Sequence, residues 1–174
     1  MRRIVGFPSL LLYFGPEFMN YLQKLFLIAL VCCAHLSGAW AQNPITWTFS
    51  GSELEPGLFQ VILTGTIEPG WATYSQELES DMGPVPTSIQ FMPGSHFSLV
   101  GKPEERGDRS THFDKVFDMN LTKFKNKAVF IQKMKVMDIP QPIKGSVIYM
   151  ACNEEMCLPP KEVLFSIHLK SDNK

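Results

Sequence analysis

Gly145-Ser-Val-Ile-Tyr-Met-Ala-Cys152-Asn-Glu-Glu-Met-Cys157-Leu-Pro-Pro-Lys-Glu-Val-Leu-Phe165 sets two apolar runs on either side of a short polar loop that a cysteine opens and a cysteine closes. Val147, Tyr149 and Ala151 alternate with Ile148 and Met150, a β-branched and aromatic run that fits a strand buried on both faces. Pro159 and Pro160 fix φ and carry no backbone donor, so no return strand starts before Lys161. From Glu162 to Leu169 the pattern predicts that strand, with Val163, Phe165, Ile167 and Leu169 on one face. The two cysteines are therefore expected in a hairpin loop at the rim of a sheet.

A disulfide between Cys152 and Cys157 closes a small ring, which chain entropy credits with at most about 2–3 kcal/mol. A structural staple gains more by joining distant segments. A small ring at a rim suits a bond that is made and broken in service, because strained or exposed disulfides are the more easily reduced ones. A disulfide that merely stiffens the loop is the plainer alternative. Zinc normally takes four ligands, and His96, His112 and His168 are scattered with none at ligand spacing from the cysteines. Glu154 and Glu155 lie between the sulfurs, and negative charge nearby disfavours a thiolate. The pair is expected to react slowly with random thiols and quickly with a docked partner, unless the glutamates are only a solvated loop tip.

Residues 147 to 160, Val-Ile-Tyr-Met-Ala-Cys-Asn-Glu-Glu-Met-Cys-Leu-Pro-Pro, resemble the signature of the N-terminal periplasmic domain of DsbD-type thiol:disulfide interchange proteins. Pro69-Gly-Trp71-Ala-Thr-Tyr74-Ser75 is similar to that family's segment beside the active site. The likeness spans most of Ile45 to Leu169. The best known members have one more residue between the cysteines, so ring geometry and redox potential do not carry over. The resemblance implies an immunoglobulin-like β-sandwich. Its Cys152–Cys157 pair would relay electrons from a membrane-embedded or thioredoxin-like donor to oxidised periplasmic proteins. Cys157 would bond to the partner and Cys152 would resolve the bond, with Trp71, Tyr74, Tyr149, Glu154, Glu155 and Pro159 around the pair. No cofactor is expected. The family usually joins this domain to a transmembrane and a thioredoxin-like domain; neither pattern occurs in these 174 residues, so the donor is expected on a separate chain.

Working outward, the length allows one domain plus a targeting segment. Leu25 to Cys33 is an apolar core, Lys24 precedes it, and Ala39-Trp-Ala41 offers a cleavage site before Gln42. Residues 1–41 read as a secretory signal peptide region, with Met19 an alternative start that gives a signal of common length. The apolar run is shorter than the roughly 20 residues that a membrane span requires. Cys32 and Cys33 follow Leu30-Val31, not the small residue that a lipobox places before its cysteine. Cleavage after Ala41 removes both, and an isolated cysteine pair in an oxidising compartment is expected to close. Residues 42–174 carry 13 Lys plus Arg against 16 Asp plus Glu. That mild acidity excludes the basic surplus of a nucleic-acid binder.

Ile45–Phe49, Leu58–Ile67, Trp71–Ser75, Thr87–Met92, His96–Val100, Val116–Leu121 and Ala128–Met137 read as strands, broken by Glu68-Pro-Gly, by Gly and Pro from 83 to 86, and by Pro93-Gly94. Short strands at this spacing without a helical period argue an all-β sandwich. Gly101 to Asp114 is the longest polar stretch and reads as a loop. The resemblance places a flexible cap loop within Gly101 to Phe117, with Phe113 as the apolar shield over the cysteines. Arg106-Gly-Asp108 spells an integrin-type tripeptide, too short to weigh. Lys123, Lys125 and Lys127 around Phe124 read as a basic turn. Met134, Met137, Met150 and Met156 fall toward the cysteine end, and thioethers with thiolates suit Cu(I), so a secreted copper carrier is a rival class. Methionine also fills core gaps routinely. A non-catalytic binding module with a structural disulfide is the other alternative.

Overall fold

The computed structural model describes residues 43–80, 82–115, 117–137 and 141–170, together with positions 20, 21, 23, 24 and 26, which are helical. Apart from Phe26, the expected signal peptide core lies outside the described residues, as do its cleavage site, the start at Met19, Cys32, Cys33 and Val116. No helix among the described residues is long and apolar enough to cross a membrane.

Eight strands follow one another: β1 (Ile45–Glu55), β2 (Leu58–Ile67), β3 (Thr73–Tyr74), β4 (Ser88–Phe91), β5 (Phe97–Asp114), β6 (Met119–Val136), β7 (Ile143–Tyr149) and β8 (Lys161–Ile167). One sheet runs β1-β2-β6-β3, with β5 also on β6, and the other runs β4-β7-β8. All pairings are antiparallel. Strand β6 organises the larger sheet. Its second half pairs with β2 from Thr66↔Lys127 to Leu58↔Lys135, and its first half pairs with β3 through Thr73↔Phe124 and Tyr74↔Lys123. Strand β5 pairs with β6 along nearly its whole length.

The period-2 pattern explains why the sheets face one another. On β2, Phe59, Val61, Leu63 and Ile67 are buried while Gln60, Ile62 and Thr64 are only partly so, and β6 answers with Ala128, Phe130 and Met134. Ile143, Val147, Tyr149, Phe165 and Ile167 from the second sheet complete this main core. The fold is an immunoglobulin-like β-sandwich. Gly145 of β7 sits between Phe91 and Phe165 in register, and a Cβ there would collide with the Gln90 carbonyl and the Phe165 ring. Its missing side chain lets those two rings meet edge to face at 5.6 Å between centroids.

Two expectations are corrected. Gly101 to Asp114 is not a loop but part of the 18-residue β5, and the lysines at 123, 125 and 127 lie on the 18-residue β6 rather than in a turn. Bulges disguise both. Gly101 to Pro103 of β5 stand against a single residue of β6, Gln132, whose buried amide donates to the Val100 and Gly101 carbonyls at 3.2 Å each. Asn126 and Lys127 are then extra on β6 between Gly107↔Ala128 and Asp108↔Lys125. Gly107 has φ 124° and Asn126 φ 54°, which only Gly and, less readily, Asn adopt at low cost. The Arg106-Gly-Asp108 tripeptide is thus a bulge in a paired strand. The expected strand at Trp71–Ser75 shortens to Thr73–Tyr74, although Ala72 also makes a ladder contact.

Candidate functional site

Beyond Tyr149 the chain leaves β7 and makes a small ladder of its own. Ala72 N–H donates to the Cys152 carbonyl at 2.8 Å and Cys152 N–H returns the bond to the Ala72 carbonyl at 3.0 Å. On its other side Cys152 faces Cys157. The flanking bonds run from Leu158 N–H to the Ala151 carbonyl and from Asn153 N–H to the Met156 carbonyl, both 2.9 Å. The cysteines therefore occupy a non-hydrogen-bonded antiparallel position, the kind that brings side chains closest. Their Cα atoms are 4.1 Å apart and their sulfurs are joined in a disulfide. Asn153 builds the turn between them, because its side-chain oxygen accepts from Glu155 N–H at 2.9 Å and Met156 N–H at 2.8 Å.

This ladder makes the two sulfurs unequal. Cys152 is the middle member, with both backbone groups spent on Ala72, and only 5% of its surface is exposed. Cys157 is the outer member and is exposed. Beneath the pair lies a second, smaller core of Tyr74, Leu121 and Cys152, flanked by Leu78, Phe117, Met119 and Met150. Thr73 sews the segment down by donating its hydroxyl to the Met150 carbonyl at 3.0 Å, and Thr87 donates to the Tyr74 carbonyl at 2.6 Å.

An open groove of about 720 Å³ runs beside the cysteine loop. Trp71 and Tyr74 line it, as do Phe113, Cys152, Glu154 and Glu155, so six residues singled out in the sequence meet there across eighty positions of chain. Tyr149 does not join them. Its ring packs in the main core 5.5 Å from Trp47, and its hydroxyl donates to the Asn43 side chain at 3.1 Å. Pro159 is exposed in the connection to β8 and does not line the groove. The methionines separate as well: Met134 is in the main core, Met150 flanks the smaller one, and Met137 is exposed.

The groove also takes in Ser110, His112, Asp114, Lys123, Lys125 and Asn126, which the sequence does not mark as site residues. Lys123 donates to Asp114 Oδ2 at 2.6 Å in a largely buried ion pair, and its ammonium stands 5.7 Å from the centre of the Tyr74 ring. Burial, reinforced by the Asp114 carboxylate, pushes the Tyr74 phenol up to about 12, so it stays protonated at ordinary pH. The alternation Lys-Phe-Lys-Asn-Lys at 123–127 was the available signal, since it puts Phe124 inward and the lysines outward as a strand does. A groove of similar volume over Ser75 and Glu105 carries no sulfur. There the Glu105 carboxylate accepts from the Ser75 hydroxyl at 2.7 Å and from Gln76 N–H at 2.6 Å.

Against known proteins, residues 46–169 match the family described as thiol:disulfide interchange protein DsbD, N-terminal. The chain belongs to the DsbD N-terminal family. No curated protein matches the sequence. Among solved structures, the fold is similar to the N-terminal periplasmic domain of ScsB from Proteus mirabilis, at 14% identity and TM-score 0.55. That match covers 75% of this chain and 49% of the other, so the chain spans about half of that protein's length. The reduced DsbD N-terminal domain of Neisseria meningitidis aligns at 17% identity and TM-score 0.48, covering 72% of this chain and 85% of that one. Membership ties the Cys152–Cys157 loop to a thiol–disulfide interchange family, and the ladder accounts for how this DsbD-type domain holds it.

Proposed function

We propose that the domain works in the periplasm as an electron relay, its Cys152–Cys157 pair alternating between disulfide and dithiol. The observation that carries the reading is the inequality of the two cysteines: Cys157 is an exposed residue on the outer side of the small ladder, and Cys152 is buried between it and Ala72. A thiolate of a thioredoxin-like or membrane-embedded donor attacks the exposed Cys157 sulfur. The S–S bond breaks, and its electron pair leaves on Cys152, which takes up a proton. The donor's second thiolate then attacks the donor sulfur of the mixed disulfide and releases Cys157 as a thiolate, which takes up a second proton. The domain has gained two electrons and two protons, and the donor has become a disulfide. The reverse sequence, with Cys157 attacking an oxidised client and Cys152 resolving, passes the electrons on. Trp71 and Tyr74 line the groove beside Cys152, the resolving side of the pair.

The test is a trapping experiment on the mature protein with a thioredoxin-like donor whose resolving cysteine is replaced and whose remaining cysteine is activated as a mixed disulfide with 5-thio-2-nitrobenzoate, so that an attacking thiolate expels that leaving group. Cys152→Ser is expected to leave Cys157 able to form a stable mixed disulfide, and Cys157→Ser to abolish it. If neither variant traps, or if Cys152 traps as well as Cys157, the relay is wrong and the disulfide is a staple of a binding module.

A further inference from the structure

Asn153 makes three hydrogen bonds across the cysteine ring. Its N–H donates to the Met156 carbonyl at 2.9 Å, and its side-chain oxygen accepts from Glu155 N–H at 2.9 Å and from Met156 N–H at 2.8 Å. None of the three involves a sulfur. The flanks of the ring are held separately, by Leu158 N–H on the Ala151 carbonyl and by the reciprocal bonds between Cys152 and Ala72. Opening the S–S bond leaves both sets available, so the reduced chain can keep its two thiols facing each other across the same rung.

The disulfide and the dithiol do not depend on that turn equally. In the oxidised form the ring makes the turn whatever residue stands at 153, because the covalent bond fixes its ends. The reduced loop has a choice: without the Asn153 side-chain bonds it opens and regains conformational freedom. Glu155 and Met156 are exposed, so water takes over their N–H groups in either state. Removing the side-chain acceptor therefore raises the oxidised form more than the reduced one. We infer that Asn153 is the positioning residue that poises the redox pair, its side-chain oxygen biasing the equilibrium toward the disulfide. This deepens the relay reading and rests on it for its purpose, since the poise of the pair decides from which donors it takes electrons. Its test needs no protein donor, so failed trapping and failed poising are separate results.

The mature protein, as wild type and as Asn153→Ala, would be equilibrated at neutral pH with graded mixtures of reduced and oxidised dithiothreitol, and its dithiol fraction counted by alkylation and intact mass. Asn153→Ala is expected to lower the equilibrium constant for disulfide formation about tenfold, which moves the midpoint by about 30 mV toward a less reducing potential. The same substitution then costs the oxidised protein more stability toward urea than the reduced one, a difference that a turn serving both states alike does not give. Asn153→Asp keeps the oxygen acceptor, and at high salt, where its added charge is screened, it is expected to return the constant to within about threefold of wild type. A constant within about twofold of wild type in Asn153→Ala, a shift in the opposite direction, or an Asp variant as impaired as the Ala one would each overturn the inference. Should Asn153→Ala not fold, Asn153→Ser decides by the same measurement, because its hydroxyl is a weaker acceptor in such a turn. An intermediate constant supports the assignment, and a wild-type constant overturns it.

Discussion

Tyr74 carries the chemistry of the groove floor in a measurable form. Its phenol is 1% exposed and sits near the Asp114 carboxylate, two causes that both oppose ionisation. In the unfolded chain a tyrosine titrates near 10. Between about pH 10 and about 12 the folded protein therefore keeps a proton that the unfolded chain has lost, and stability falls as pH rises through that window. Tyr74→Phe is expected to flatten this fall, seen as a smaller change in urea midpoint between pH 9 and pH 11.5 than in wild type. Tyr149 shares the direction through its own burial, so a residual slope persists. Asp114→Asn should bring the Tyr74 titration closer to 10 in an absorbance experiment. Equal pH slopes for wild type and Tyr74→Phe would mean that the phenol is in contact with solvent.

Elements were legible where one face is buried and illegible where both are wet. The bounds of β2 could be read directly and the β7–β8 hairpin to within a few residues, its strands running Ile143–Tyr149 and Lys161–Ile167 rather than 147–151 and 162–169, because inward residues at period 2 leave an apolar trace in the sequence. Strand β5 leaves none. After Phe97 its residues are exposed or half-buried throughout, since it packs against β6 alone at the edge of its sheet, and its polar composition passed for a loop. The cysteine loop was legible locally, as two cysteines in a short turn between apolar strands, whereas Asp114 and Lys123 reach the groove only through a hairpin whose sequence is polar. Those edge bulges also protect the protein, since a register broken at Val100/Glu104 and Gly107/Asp108 is a poor template for a second strand. Gly107 is the residue that the second bulge demands. Its φ is 124° and a Cβ would run into the Lys127 carbonyl, so Gly107→Ala is expected to cost about 1–3 kcal/mol. The check is a urea midpoint; a loss within error would mean that the bulge can relax without glycine.

For the whole molecule, the question is whether the sandwich depends on its disulfide. The ring between Cys152 and Cys157 spans a sequence separation of five, for which chain entropy gives about 2 kcal/mol. The loop has other supports that survive reduction: the reciprocal bonds between Ala72 and Cys152, the Asn153 turn, and the β7–β8 pairing that ends at Tyr149↔Lys161. The main core is a larger reserve. Phe130 is fully buried between Trp47 at 6.0 Å and Phe124 at 5.7 Å, and truncating such a ring costs about 3–5 kcal/mol. Replacing both cysteines with serine is thus expected to keep the β-sheet circular dichroism and a cooperative transition, and to lose less stability than Phe130→Ala. A relay must have this property, because it spends part of every cycle reduced. Should the double-serine protein unfold, or lose more than Phe130→Ala, the bond belongs to the architecture and cannot be opened in service.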